Sequence, residues 1–87
     1  MNRRRDSFHI MEDILRAADS PRGALKTHLV CKANLNFIRL EQYLGLLMDK
    51  GLVEVQGLEY ERYYTTSKGR EFLSQVIETR SFLVAVH

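Results

Sequence analysis

The chain has 87 residues, one cysteine and a net charge of +2, with 45% apolar and 28% charged residues. That length bounds it to a single domain, residues 1–87, with a modest core. The lone Cys31 excludes an internal disulfide and a cysteine-rich zinc ribbon, and no apolar run nears the roughly 20 residues that cross a bilayer.

The first six residues form a basic arm around Arg3, Arg4 and Arg5. No apolar stretch follows, so the arm does not read as a secretory signal, and a reducing, cytoplasmic setting is the simpler expectation. Such an arm suits phosphates or a minor groove. The plain alternative is a solvated terminus. Charge is uneven along the chain. Residues 1–40 hold eight basic against four acidic residues, and residues 41–87 hold five against seven. The asymmetry suits an anionic partner on one face.

A first helix is expected from about Asp6 to Ala18, capped by Asp6 or Ser7. Ile10, Met11, Ile14, Leu15 and Ala18 follow the spacing of one buried face. Asp19 to Gly23 breaks it. Ser20-Pro21 fits the cap and first position of a second helix, with Thr27 as a later alternative start. Leu25, Leu29 and Val30 face inward, and this helix ends near Ala33. Asn36 then caps a third helix, whose Leu40, Tyr43, Leu44 and Leu47 form a core stripe. Gly51 fits the left-handed residue that closes it, with Lys50 at the negative end of the helix dipole.

Leu52 to Val55 reads as a strand, Gln56 to Glu59 as a turn, and Tyr60 to Thr65 as the return strand. Thr65 or Thr66 caps a fourth helix with Phe72, Leu73, Val76, Ile77 and Arg80 along one stripe. Residues 81–87 either continue it or end as an apolar tail.

The expected class is α+β: three helices, a β-hairpin and a C-terminal helix, which is the winged helix-turn-helix order. Three pieces carry a closer likeness: Lys26-Thr27-x-Leu29-Val30-x-Lys32-Ala33-Asn34-Leu35, Tyr43-Leu44-x-x-Leu47-x-x-x-Gly51-Leu52-Val53, and Tyr64-Thr65-Thr66-x-x-Gly69-x-x-Phe72-Leu73. In that order the chain resembles, over about residues 8–78, the small archaeal winged-helix transcription regulators and chromatin-associated proteins.

The resemblance implies double-stranded DNA as the partner, with helix 3 in the major groove and the hairpin, or wing, beside the backbone. A helix fits the major groove, and its first turns usually reach the base edges. With the leucines inward, Asn36, Phe37, Arg39 and Gln42 become the base-reading candidates, flanked by Glu41. Lys26, Lys32, Arg62 and Lys68 become the phosphate candidates. Each has a plainer alternative. Arg39 and Gln42 suit a solvated face, and Phe37 suits packing at the helix start. Arg62 sits in the hairpin with Glu59 and Glu61, which repel phosphate and argue against a wing that grips DNA.

Tyr60 and Tyr63 stand three apart in the return strand, an odd spacing that sends one inward and one outward. His28 and Cys31 have ligand spacing but no third partner nearby, so neither metal nor cofactor is expected. Cys31 reads as a small, half-buried residue. No nucleophile elbow, phosphate loop or metalloprotease motif appears, so an enzyme is not expected.

Residues 67–87 carry more apolar surface than a small monomer hides. A homodimer through Phe72, Val76, Phe82, Leu83 and the C-terminal tail is expected, presenting two recognition helices about a helical turn apart or more. Members of the resembled family dimerise through a longer C-terminal coiled coil. The alternative is a tail folded back on its own core. The competing function is a protein-binding winged helix that uses the tyrosine-rich hairpin and helix 3. The chain leaves no room for a separate ligand-sensing domain.

Overall fold

A computed structural model describes the backbone of residues 7–86 and the side chains of residues 7–79. In chain order the elements are α1 (Ser7–Ala18), α2 (Lys26–Ala33), α3 (Phe37–Asp49), β1 (Val53–Gln56), β2 (Arg62–Thr65) and α4 (Ser67–Val86). The basic arm, and the side chains of Arg80, Phe82 and Leu83, lie outside the described residues.

The core is built where the apolar spacing places it. Ile14 and Leu15 of α1, Leu29 of α2, and Leu40, Leu44 and Leu47 of α3 are fully buried. Leu52, Val53, Tyr63 and Leu73 close this cluster on the side of the hairpin and α4. Met11 is only half-buried, whereas Glu12 on the neighbouring position is 5% exposed. The reason lies one turn on: Arg16 holds the Glu12 carboxylate through Nε at 3.0 Å and Nη2 at 2.9 Å. A paired carboxylate tolerates burial that an isolated one does not.

The second helix starts later than Ser20-Pro21 suggests. Ser20 instead closes a turn, accepting the Gly23 N–H on its carbonyl at 3.0 Å and donating its hydroxyl to the Gly23 carbonyl at 3.1 Å. Gly23 sits at φ +68°. Ala24 then pairs with Tyr63 on the free edge of β2, through N–H···O bonds of 2.9 and 2.8 Å. The ladder claims those backbone groups, so helix begins only at Lys26.

Between α2 and α3, Asn34 takes the left-handed conformation at φ 54°, and Asn36 caps α3 as expected. The far end of α3 closes by a Schellman motif. Gly51 sits at φ +74°, with its N–H on the Met48 carbonyl at 3.0 Å and the Leu52 N–H on the Leu47 carbonyl at 2.9 Å.

The hairpin is antiparallel, pairing Val53 with Thr65 and Gln56 with Arg62. Both strands are shorter than their apolar runs suggest. Leu52 is taken up by the helix closure, and residues 57–61 form the connecting loop, turning at Gly57. Tyr63 is buried in the core and Tyr60 is exposed on the loop, which is the inward–outward split expected of the pair. The Thr65 hydroxyl donates to the buried Leu15 carbonyl at 2.7 Å, tying the sheet to α1. Thr66 caps α4, its hydroxyl accepting the Gly69 N–H at 3.0 Å. Helix continues through residues 81–86, and at 20 residues α4 is about 30 Å long. No described helix is long and apolar enough to cross a membrane.

Candidate functional site

With Leu40, Leu44 and Leu47 turned inward, α3 presents its opposite side to solvent. Ile38, Gln42, Gly45 and Asp49 recur there at steps of four, three and four residues, and all are exposed. The first two turns hold every base-reading candidate of the sequence. Asn36, Phe37, Arg39 and Gln42 are all exposed. Their circumstances differ. Asn36 spends its Oδ1 on the Arg39 N–H at 2.8 Å, which leaves the amide nitrogen to serve as a donor. Phe37 is half exposed at the helix start.

Arg39 leans to one flank, its guanidinium carbon 5.8 Å from the centroid of the Tyr43 ring. Tyr43 is held in turn, its hydroxyl donating to Ser7 Oγ at 3.3 Å. A cation over an aromatic face gains modest energy at an exposed site. It also sets where the guanidinium starts from: beside the beginning of α1 rather than on the outermost line of α3.

The other flank carries Glu41, which forms an ion pair with Lys26 of α2. The hydrogen bond to Glu41 holds the Lys26 ammonium above its ordinary pKa. A strong negative partner therefore already occupies one phosphate candidate. Behind it, burial pushes the Tyr63 hydroxyl up, and its bond to Glu61 at 3.3 Å adds to the effect.

The four candidate phosphate contacts do not form one row. Lys26 lies on the α3 side of α2, bound to Glu41. Lys32 is exposed on the α1 side, lining a shallow groove with Asp13, Arg16, Ala17 and His28. Arg62 is half-buried and donates to the Arg22 carbonyl at 3.2 Å, bracing the turn before α2 against the wing. Lys68 stands beside Gly51, past the C-terminal end of α3. That is about 20 Å along the helix from Asn36, at 1.5 Å per residue.

The wing carries Glu54, Glu59 and Glu61, all exposed, with Leu58 and Tyr60 uncovered on its loop. Cys31 is exposed rather than half-buried, because it lies on the side of α2 away from the buried Leu29 and Ala33. Among the described residues, no group of three or more His, Cys, Asp or Glu is placed to hold a metal ion.

Ile38 and Gly45 are the residues sequence reasoning passed over. Ile38 is 72% exposed on the outermost line of α3. A Cβ added to Gly45 would meet nothing within 4 Å. The phase of the leucine stripe carried the signal, since an apolar side chain diametrically opposite a core stripe has no packing role in the monomer.

A family model described as winged helix-turn-helix matches residues 4–83. Among solved structures, the chain is similar to Sso10a-2, described as a DNA-binding protein from Sulfolobus solfataricus. The identity is 26% and the TM-score 0.74, with 94% of this chain and 88% of that chain covered. No curated protein matches the chain in sequence.

Proposed function

The chain belongs to the winged helix-turn-helix family, and on that premise we propose that it binds double-stranded DNA as a non-enzymatic transcription regulator, with α3 in the major groove. The observation that carries this reading is the exposed start of α3. Asn36, Arg39 and Gln42 stand together on its first two turns, exposed, polar and free of core duty. A helix of this width enters the major groove N-terminal end first. The likeness to Sso10a-2, a DNA-binding protein by its description, supports the same reading.

The cations assist unequally. Lys32 is the residue we assign to phosphates near the start of α3, with Arg3–Arg5 as a further basic segment, and Lys26 joins only by giving up Glu41. Lys68 serves a site farther along the backbone, while Arg62 stays with the wing, its guanidinium on the Arg22 carbonyl. The acidic wing stands off the phosphates, because three carboxylates there oppose close approach.

We also assign a homodimer joined along α4. Its length of about 30 Å supplies the surface. Phe72 and Val76, both half-buried, are assigned to that contact together with Phe82, Leu83 and the C-terminal tail. A cytoplasmic location is part of the same proposal.

The test is a titration of a labelled duplex at several salt concentrations. Affinity is expected to fall steeply as salt rises, with a log–log slope near −0.9 for each phosphate neutralised. Arg39→Ala together with Lys32→Ala should weaken it. Undetectable binding at low salt would end the proposal. One observation favours the second reading, a protein-binding module: Leu58 and Tyr60 are exposed amid the wing carboxylates. That module would survive Arg39→Ala and fail on Tyr60→Ala.

A further inference from the structure

This inference rests on the DNA reading and names the kind of DNA that α3 selects. The outermost line of the helix is Ile38, Gln42, Gly45 and Asp49, and it carries no cation. Guanine is most often read by Arg or Lys on its O6 and N7. The nearest arginine, Arg39, sits on the flank over the Tyr43 ring, where its guanidinium suits a phosphate at the groove edge.

What the line does carry is a branched apolar side chain 72% exposed to solvent. The major groove has one apolar group to offer it, the C5-methyl of thymine. Gln42, one turn on, is exposed with its amide uncommitted, and glutamine pairs bidentately with adenine N6 and N7. Gly45, the next residue of the line, leaves open space above the backbone, so the helix can seat deeply beside the base edges. Asp49 ends the line about 16 Å from Ile38, by helical rise, and its charge keeps that end away from phosphate.

We propose that Ile38 is a specificity-determining residue, and that α3 selects A·T-containing major grooves by covering thymine methyl groups, with Gln42 on adenine.

Uracil in place of thymine deletes only the C5-methyl, so the DNA can be altered while the protein is left intact. The full chain is titrated at low salt against three duplexes of equal length: alternating A·T, the same with uracil for every thymine, and alternating G·C. The expected order is A·T tightest, by about fourfold for each methyl covered, with the uracil and G·C duplexes weaker. Ile38→Ala should bring the A·T and uracil duplexes to the same affinity while keeping binding salt-dependent. Arg39→Ala should weaken both and preserve their ratio. Because Ile38 is exposed, its truncation leaves the core alone, and circular dichroism checks that. Equal wild-type affinity for the thymine and uracil duplexes overturns the inference, as does a difference that Ile38→Ala leaves in place. In both cases DNA binding itself stands. Failure to bind any of the three duplexes overturns the DNA reading and this inference together.

Discussion

The hydroxyl of Thr66 donates to the carbonyl of Gly51 at 2.7 Å. The same oxygen accepts the Gly69 N–H, so one side chain closes the end of α3 and caps the start of α4. The backbone adds to this: the Thr66 N–H bonds to the Leu52 carbonyl at 3.0 Å. The helix offered to DNA and the helix assigned to dimerisation are therefore braced at one point.

Replacing Thr66 by valine keeps the shape and removes both bonds. A lost N-cap costs about 1 kcal/mol, and here the bond to Gly51 goes with it, so about 1–2 kcal/mol is expected. For a domain of this size each kcal/mol lowers the melting temperature by roughly 4–8 °C. Thr66→Ser should retain most of the stability. Thermal unfolding followed by circular dichroism separates the two, and equal melting of Thr66→Val and wild type would refute the bracing role.

Two glycines should respond to alanine with opposite signs. A Cβ on Gly69 would stand 2.2 Å from the Leu52 carbonyl oxygen and 2.7 Å from Thr65 Cγ2. The first of these is backbone, so α4 must shift off the hairpin, and Gly69→Ala is expected to destabilise by about 1–3 kcal/mol. Gly45 is mid-helix, exposed and without neighbours. There alanine simply restores helix propensity, a gain of about 0.8–1 kcal/mol. Denaturant midpoints that moved in the same direction for both variants would contradict these two assignments.

Local signals in the chain carried much of this fold. The α3 stripe of Leu40, Leu44 and Leu47, its Asn36 cap and its Gly51 closure all lie within a few residues of one another. The start of α2 was not legible, because the pairing of Ala24 with Tyr63 decides it from 39 residues away. Burial of Glu12 was hidden for a different reason: periodicity counts apolar residues and does not anticipate a carboxylate covered by its own Arg16. The candidate site was half legible. Helical phase placed Gln42 outward, and the same phase would have placed Ile38. The ion pair of Lys26 with Glu41 and the lean of Arg39 onto Tyr43 depend on how α2 and α3 cross and which rotamers they allow, and composition contains neither.

Alkali should destabilise the fold at Tyr63 and Lys26. The ordinary pKa is 10.0 for tyrosine and 10.5 for lysine, and both groups are raised in the folded chain. Burial raises Tyr63, and the bond to Glu41 raises Lys26. Groups raised on folding hold their protons more tightly in the native state, so their contribution is complete below the unfolded pKa and is lost as pH climbs through the folded one. Denaturant midpoints should therefore be level from neutrality to about pH 9.5 and decline above about pH 10. Tyr63→Phe, which cannot ionise, should flatten much of that decline. An unchanged decline in this variant would assign the alkaline loss to other groups.

Glu41 should act as a restraint on DNA binding. It stands on the helix assigned to the groove, where its negative charge would oppose the phosphates, and it occupies Lys26. Glu41→Gln removes the charge and frees the ammonium with little change in shape, and the side chain is 55% exposed, so stability should move by less than about 0.5 kcal/mol. Affinity for duplex DNA at low salt should rise, and the slope of log K against log salt should steepen by about 0.9, the value of one added phosphate contact. Lys26 can be tested as the source by a double-mutant cycle. Lys26→Met should cost little in the wild type, where Glu41 already engages the lysine, and more in the Glu41→Gln background, where the lysine reaches phosphate. A steeper slope that survives Lys26→Met would mean that the gain comes from relieving repulsion alone. An unchanged slope in Glu41→Gln itself would show that neither residue faces the backbone.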